Sequence, residues 1–345
     1  MENNMNKWMI YGANGYSGEL IAKQAVKQGL SPIIAGRNND AIVALAKQLD
    51  CEYKVFDLSD SNAVVDNLKD VSVVIHCAGP FSQTAQPMIE SCLKSKTHYL
   101  DITGEIAVFE LAKSYDKQAQ EAGIVICPGV GFDVIPTDCL ASQLKALMPD
   151  ATHLALGFDS KSGFSPGTAK TSVEGLAQGG RVRKDGEIIQ VPLAYKTRKL
   201  DFGNGEKLAM TIPWGDVSTA HFTTGIANIE VYIPASPNLV KKIKRMNYLR
   251  WLLGMGFVQN FMKKRIEKSV RGPSEKQRDK LKTYLWGEVK NAKGETKELR
   301  LITSNGYTLT VTGSLKMLEH TLKTEKSGYF TPTTLVNNQL LSEIE

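Results

Sequence analysis

Short apolar runs alternate with amphipathic stretches along the first 130 residues. Lys7–Tyr11 (KWMIY) reads as a buried strand running into Gly12, and Ser17–Gln28 as a helix ending at Gly29. Ser31–Ala35 is a second strand, Asp40–Leu49 a second helix, and Glu52–Phe56 alternates like a strand. Val71–His76 (VSVVIH) is almost continuously apolar, the pattern of a parallel strand covered on both faces. Gln86–Ser95 then reads as helix, His98–Ile102 as strand, Ile106–Ala122 as a helix closed by Gly123, and Ile124–Cys127 as a last short strand. Strands alternating with helices at this spacing predict an α/β fold, a Rossmann-type doubly wound parallel sheet.

The pattern changes near Thr152. Thr152–Asp159, Gly186–Val191, Lys207–Ile212 and Ala227–Ile233 look like strands joined by Gly-, Pro- and Asp-containing turns. Lys282–Val289 and Glu298–Val311 continue this, with turn signals at Asn291–Gly294 and Asn305–Gly306. A second α/β domain on a mixed or antiparallel sheet is expected. Helical character returns at Ser314–Thr324, and Gly328–Pro332 opens a helix over Thr333–Ile344. The expected division is therefore 1–130 plus 313–345 for the dinucleotide-binding domain, and 131–312 for a domain serving substrate binding or homodimerisation.

Composition narrows the class. The 345 residues can bury a large core. Met1–Asn4 is polar with no basic stretch and apolar run, so no secretory signal is read there, and no apolar stretch reaches the ~18–20 residues of a spanning helix. The five scattered cysteines contain no Cys-x-x-Cys and read as reduced thiols of a cytoplasmic protein. The five histidines lack metal-ligand spacing, so no metal is expected. The net charge of +6 is local: 241–271 holds ten basic residues against Glu267 alone, leaving about −3 for the rest. No nucleic-acid-binding motif accompanies this segment. Within it, Tyr248–Met262 is apolar and flanked by bases, which suits either a helix lying at a membrane interface or a core or lid helix with solvated ends.

The chemistry starts at Gly12-Ala13-Asn14-Gly15-Tyr16-Ser17-Gly18, between the first strand and the first helix. The first glycine permits the tight turn, the second lets the backbone approach a pyrophosphate, and the third lets helix and strand pack closely. Asn14, Tyr16 and Ser17 complete the loop, and the helix N-terminus offers N–H groups to the phosphates. The second strand ends Ala35-Gly36-Arg37-Asn38. Arginine there pairs with a 2′-phosphate, where an acid would hold the 2′-hydroxyl of NAD, so NADP is the expected cofactor. Asp57 ends the third strand and reads either as an adenine contact or as a turn-initiating aspartate. Cys77-Ala78-Gly79-Pro80-Phe81 follows the fourth strand on the ligand side of the sheet, where small residues admit the nicotinamide ribose. Cys77 reads as a spacer thiol, since nothing nearby would lower its pKa.

With these motifs the chain resembles the saccharopine dehydrogenase-like family, in particular its uncharacterised bacterial branch and its trans-acting enoyl reductases. The resemblance rests on YGANGYSGEL (11–20), AGRN (35–38), CAGPF (77–81), YLDITGE (99–105) and PGVGFDVIPTDCLA (128–141). It continues through SPGTAKTSVEGL (165–176), GPSEKQRDK (272–280), YLWGEV (284–289), NGYTLT (305–310) and GYFTPTTL (328–335). It implies a Rossmann domain, a second α/β domain and NADP, but not saccharopine as substrate.

Candidate catalytic groups are Asp101 and Glu105, which follow the fifth strand, and Tyr16 in the glycine loop. Asp133 and Asp138, flanking Pro136, read as helix-capping residues ahead of catalytic ones. Tyr195 and Lys199 match Tyr-x-x-x-Lys, but in a strand-and-turn context that argues against a reductase pair. The Gly-rich stretch 163–180 with Arg181 and Arg183 reads either as a substrate-covering loop meeting an anion or as a solvated hairpin. The expected function is NADPH-dependent reduction of a C=C, C=O or C=N bond in a small-molecule or lipid-like substrate, in the cytoplasm, with peripheral membrane contact through 241–271. The alternative is a non-catalytic, membrane-associated protein that binds NADP.

Overall fold

The structure, a computed structural model, describes residues 7–161, 173, 175, 177–269, 278 and 281–345. Apart from Val173, Gly175 and Arg278, the sequence motifs SPGTAKTSVEGL and GPSEKQRDK lie outside the described residues, as does most of the stretch 163–180. The chain divides into two compact units, Met1–Ile135 with Tyr307–Ile344, and Pro136–Gly306 with Glu345.

The first unit opens with β1 (Trp8–Tyr11), α1 (Tyr16–Lys27), β2 (Ile33–Gly36), α2 (Asn39–Leu49), β3 (Tyr53–Val55), α3 (Ser61–Leu68) and β4 (Val73–His76). It continues with α4 (Phe81–Ser95), β5 (His98–Asp101), α5 (Ile106–Ser114), α6 (Asp116–Ala122) and β6 (Val125–Cys127). All four residues of β1 and of β4 are buried, as the apolar runs require. Helix α1 buries Gly18, Ile21, Ala22 and Ala25, one stripe at helical spacing. Asn38 caps α2 by accepting from the Ala41 N–H at 3.1 Å, and Asp60 caps α3 by accepting from Asn62 and Ala63.

The second unit takes over within α7 (Ile135–Leu147) and contains β7 (Ala151–Ser160), β8 (Gly180–Lys184), β9 (Glu187–Val191), β10 (Thr197–Asp201), β11 (Glu206–Ile212), α8 (Asp216–Thr224) and β12 (Asn228–Pro234). Next come α9 (Pro237–Met246), a 3-10 turn (Asn247–Leu249), α10 (Arg250–Leu253), α11 (Gly256–Ser269), β13 (Thr283–Asn291) and β14 (Thr296–Thr303). Its sheet runs β10-β11-β12-β7-β13-β14, with the β8–β9 hairpin joined to β12. The sheet is mixed, because β12 and β7 are parallel whereas β7–β13 and β13–β14 are antiparallel. Leu140 and Leu144 of α7 and Ala220 of α8 pack over Leu154, Leu156, Ile229, Leu285 and Val289 of this sheet.

The chain then returns to the first unit with α12 (Gly306–Lys323), β15 (Gly328–Tyr329), α13 (Pro332–Leu335) and α14 (Leu340–Ile344). The first sheet is parallel in the order β15-β6-β5-β4-β1-β2-β3. Strand order reverses between β1 and β4, so the crevice beyond their carboxyl ends is the expected ligand site of such a sheet.

Several expectations need correction. Phe81 already opens α4, with Pro80 at its N-cap, so the helix starts well before Gln86. The expected helix over 106–122 is two helices parted at Tyr115, whose backbone leaves helical geometry (φ −90°, ψ 5°). Asn305–Gly306 leads into α12, so the strand expected through Val311 ends at Thr303. The β-branched character of Tyr307–Thr312 suggests strand, but the segment opens α12, which buries Leu309, Leu315, Met317 and Leu318. The terminal helix over 333–344 is two short ones. The pattern also missed α3, β8, β10, α8 and α9. Tyr248–Met262 is a broken set of turns and helices.

Candidate functional site: the carboxyl mouth of the parallel sheet

The glycine loop joins β1 to α1. Gly12 adopts φ +81°, and a Cβ there would meet the Ala78 backbone nitrogen at 2.7 Å. Its own N–H donates to the Ala35 carbonyl at 2.8 Å, so the loop is tied to β2 on one side and to the Cys77–Phe81 turn on the other. A Cβ on Gly18 would meet the Gly12 carbonyl oxygen at 2.5 Å, which is the close helix–strand approach its position calls for. Gly15 is the N-cap of α1 and no side chain caps that helix, so its first N–H groups suit a phosphate. The Asn14 side chain lies over Gly36, 3.1 Å from where a Cβ would stand. Tyr16 and Ser17 begin the helix, and the Tyr16 ring meets Tyr307 of α12 edge-on at 5.0 Å.

Arg37 is exposed directly after β2, beside Asp57. Asp57 accepts from the Ser59 N–H at 2.8 Å, and the bonds from Ser59, with the Arg37 charge, hold its carboxyl below the usual range. Asp57 thus forms the turn at the end of β3, the second of its two sequence readings. A loop with this glycine geometry, uncapped helix N–H groups and an exposed arginine at the second strand fits the pyrophosphate and 2′-phosphate of NADP.

At β4, the buried His76 shares a hydrogen bond between Nε2 and the Thr84 hydroxyl at 3.0 Å. Burial pushes its pKa down to about 3, so it is a neutral wall of the site. Thr84 donates to the carbonyls of Ala78 and Pro80, fixing the turn that follows. The Cys77 thiol is enclosed, and burial, helped by Asp101, pushes its pKa well up. It is therefore a thiol and no nucleophile, as its sequence setting suggests.

The two acidic candidates, Asp101 at the end of β5 and Glu105 after it, are both engaged. Glu105 accepts from the N–H groups of Phe81 and Ser82 at 3.0 and 2.9 Å, so it closes the N-terminus of α4. Asp101 is fully buried; Oδ1 accepts from the N–H groups of Thr103 and Gly129, each at 2.9 Å, and Oδ2 accepts from the Tyr99 hydroxyl at 2.6 Å. Burial raises its pKa to about 6 against the lowering effect of these three bonds. Asp101 thus ties the β5 and β6 loops together.

Asp133, read from the sequence as a helix cap ahead of a catalytic group, has its carboxyl against Gly104 in this mouth. A Cβ on Gly104 would meet its Oδ2 at 2.6 Å, so Gly104 makes the room for the carboxyl. The residue keeps part of its surface at the mouth while its carboxyl is enclosed, and burial raises the pKa to about 7. The loop carrying it is held by α12, where the Thr310 hydroxyl accepts from the Phe132 N–H at 3.1 Å. Tyr307 is the residue of this mouth that the sequence reading did not single out, and Asp133 the one it placed second to a capping role.

In the second unit, Asp138 is buried in α7 and accepts from the Thr223 hydroxyl of α8. The buried Arg183 donates to the carbonyls of Val217 and Gly186, so it braces the hairpin. Tyr195 lies between a turn and β10, and Lys199 lies on β10, where it pairs with Glu206. Among the described residues no group of three or more His, Cys, Asp or Glu could hold a metal ion.

Comparison with known proteins agrees with this geometry. Residues 8–127 match the family described as saccharopine dehydrogenase NADP binding domain. A bovine (Bos taurus) saccharopine dehydrogenase-like oxidoreductase is 26% identical over 150 residues, 38% of this chain and 35% of that protein. A Mycobacterium bovis trans-acting enoyl reductase is 31% identical over 144 residues, 39% of this chain and 34% of that protein. The chain thus spans about a third of the length of these two relatives, less than the near-full-length run of motifs suggests. Among solved structures, saccharopine dehydrogenase (L-Glu forming) from Saccharomyces cerevisiae superposes with a TM-score of 0.66 at 12% identity, covering 98% of this chain and 96% of that one. Residues 8–127 thus match the model of the saccharopine dehydrogenase NADP binding domain, and the chain shares its fold with the yeast saccharopine dehydrogenase.

Proposed function

We propose that this protein is an NADPH-dependent reductase acting on a C=C, C=O or C=N bond of an apolar, lipid-like substrate. The observation that carries the reading is the assembly at one sheet mouth of a phosphate-binding glycine loop, an exposed arginine after β2, and an enclosed carboxyl at Asp133. Gly12, Gly15, Gly18 and the N–H groups of α1 hold the pyrophosphate, Arg37 pairs with the 2′-phosphate, and the Cys77–Phe81 turn borders the nicotinamide ribose. NADPH bound there supplies the hydride. Asp133, whose pKa burial raises to about 7, holds the proton the product needs in its protonated form. Asp101 and Glu105 shape the loops around it through their backbone hydrogen bonds.

The lipid-like substrate is supported by the 31% identity to a trans-acting enoyl reductase. Exposed apolar side chains at Tyr248, Leu249, Trp251, Phe257 and Phe261 add to it. The reading includes substrate binding or homodimerisation by the second unit, and a cytoplasmic location with contact at the inner face of the membrane. NADPH oxidation with enoyl-thioester, ketone and imine panels tests it. Turnover of long-chain enoyl or keto substrates, lowered by Asp133→Asn, is expected. Turnover of small polar imines alone would defeat the lipid assignment. Those same exposed aromatics favour a second reading, a non-catalytic NADP-binding protein at a membrane, which NADPH binding with no turnover on any panel would support.

A further inference from the structure

Between Val231 and Ile266 the sequence has no acid and eight bases: Lys241, Lys242, Lys244, Arg245, Arg250, Lys263, Lys264 and Arg265. The structure gives this charge a two-sided support. Helix α9 buries Val240, with Ile243 beside it, against Met210 and the neighbouring side chains of the second unit. Its opposite row, Asn238, Lys241, Lys242, Arg245 and then Leu249, follows helical spacing and lines a cleft of about 430 Å³ together with Met246.

Immediately after this cleft the chain turns apolar and stays exposed. Tyr248 is 83% exposed, Leu249 55%, Trp251 65%, Phe257 71% and Phe261 66%. The backbone beneath these side chains is held. Asn247 accepts from the Leu193 N–H at 2.8 Å and donates to its carbonyl at 3.1 Å, while Gln259 donates to the carbonyls of Val173 and Leu253. Five large apolar groups within fourteen residues, on an anchored support, exceed the scattered apolar exposure of an ordinary surface. Tyrosine and tryptophan favour the boundary between water and lipid, and lysine and arginine beside it are attracted to acidic headgroups. No helix among the described residues is long and apolar enough to cross a membrane, so the segment suits lying on one.

We propose that this surface docks the protein on an anionic phospholipid bilayer, with Tyr248, Trp251, Phe257 and Phe261 entering the interface and Lys241, Lys242 and Arg245 receiving headgroup phosphates. The inference deepens the membrane contact of the proposed function and does not depend on hydride transfer. A stacked single-stranded nucleic acid would also use cations and rings, but Leu249 and the phenylalanines offer aliphatic and benzene surface beside a basic cleft, which an acyl–headgroup boundary matches better.

The test uses the intact protein and vesicles of phosphatidylglycerol with phosphatidylcholine, against phosphatidylcholine alone. Trp8 and Trp286 are buried and Trp214 is half-buried, so Trp251 reports directly. Expected are sedimentation with the anionic vesicles at low salt, a blue shift of tryptophan emission lost in Trp251→Phe, and binding weakened about tenfold or more by high salt. Lys241→Glu with Lys242→Glu and Arg245→Glu should weaken binding by at least the same factor, with NADPH affinity retained as the check on folding. Absence of sedimentation with anionic vesicles at low salt, equal binding to phosphatidylcholine alone, or tighter binding to a single-stranded oligonucleotide than to anionic vesicles would each overturn the proposal. Vesicle binding without turnover leaves this inference standing and removes the reductase reading; turnover without vesicle binding does the reverse.

Discussion

Asp101 offers a clean separation between an anchoring and a chemical role. Its Oδ1 satisfies two buried N–H groups, those of Thr103 and Gly129, and its Oδ2 satisfies the buried Tyr99 hydroxyl. Asp101→Ala strands all three. At about 1–3 kcal/mol for each buried unpaired group, with some relaxation, the loss is about 4 kcal/mol. Asp101→Asn keeps an oxygen for both N–H groups and turns an amide N–H toward the phenol oxygen, so its cost is about 1 kcal/mol. The carboxyl pKa of about 6 is higher than the unfolded value near 4. Its contribution to stability is therefore present below pH about 4 and is lost as pH rises through about 6. The Asn variant lacks that loss, so its deficit relative to the native protein should be smaller at pH 7 than at pH 5. Urea unfolding of the native protein and both variants at these two pH values measures this, with NADPH oxidation assayed alongside. Equal destabilisation by Asn and Ala would refute the hydrogen-bond argument. A normally stable Asp101→Asn protein with no turnover would show that the carboxyl takes part in the chemistry.

Asp133→Asn should lower turnover at least about tenfold with little change in NADPH affinity, since it removes the proposed acid and touches no phosphate contact. In the native protein the rate should fall as pH rises through about 7, where Asp133 loses its proton, and a flat profile in stopped-flow NADPH oxidation would argue against that role. Gly104→Ala places a methyl 2.6 Å from the Asp133 Oδ2, so it should displace the carboxyl and lower turnover while the melting temperature moves by only a few degrees; unchanged turnover would count against the placement. Glu105→Gln keeps one oxygen but removes the charge from the α4 N-terminus, costing about 1 kcal/mol in thermal unfolding, whereas a gain in stability would mean the charge is not favourable there.

What the sequence makes legible is what local spacing encodes. The runs around Trp8–Tyr11 and Val73–His76 and the three glycines from Gly12 to Gly18 carry their roles in consecutive residues. The reversal at β1 and β4 follows from that alternation. The roles of the acids were not legible, because each is fixed by a partner distant in sequence. Glu105 meets Phe81 and Ser82, Asp101 meets Gly129, and Asp133 rests over Gly104. A carboxylate after a parallel strand looks the same in sequence whether it faces a cofactor or a backbone N–H. Helix α12 was hidden for a related reason. Its first turn, with Tyr307 and β-branched residues, imitates a strand, and its helical form comes from packing such as Gly313 against Ile135, where a Cβ would stand 2.6 Å from the isoleucine. Asp57 shows the converse, a residue whose plainer reading as a turn former is what the structure contains.

The claim underlying all of this is that the mouth of the first sheet is built for a nicotinamide cofactor bearing a 2′-phosphate. Paired fluorescence titrations of the native protein and Arg37→Asp with NADPH and NADH test it most directly. The account predicts that the native protein binds NADPH about tenfold or more tighter than NADH, and that Arg37→Asp loses most of its NADPH affinity while keeping that for NADH, because attraction at the 2′-phosphate becomes repulsion. Equal or tighter binding of NADH by the native protein, or an Arg37→Asp variant that still prefers NADPH, would contradict it.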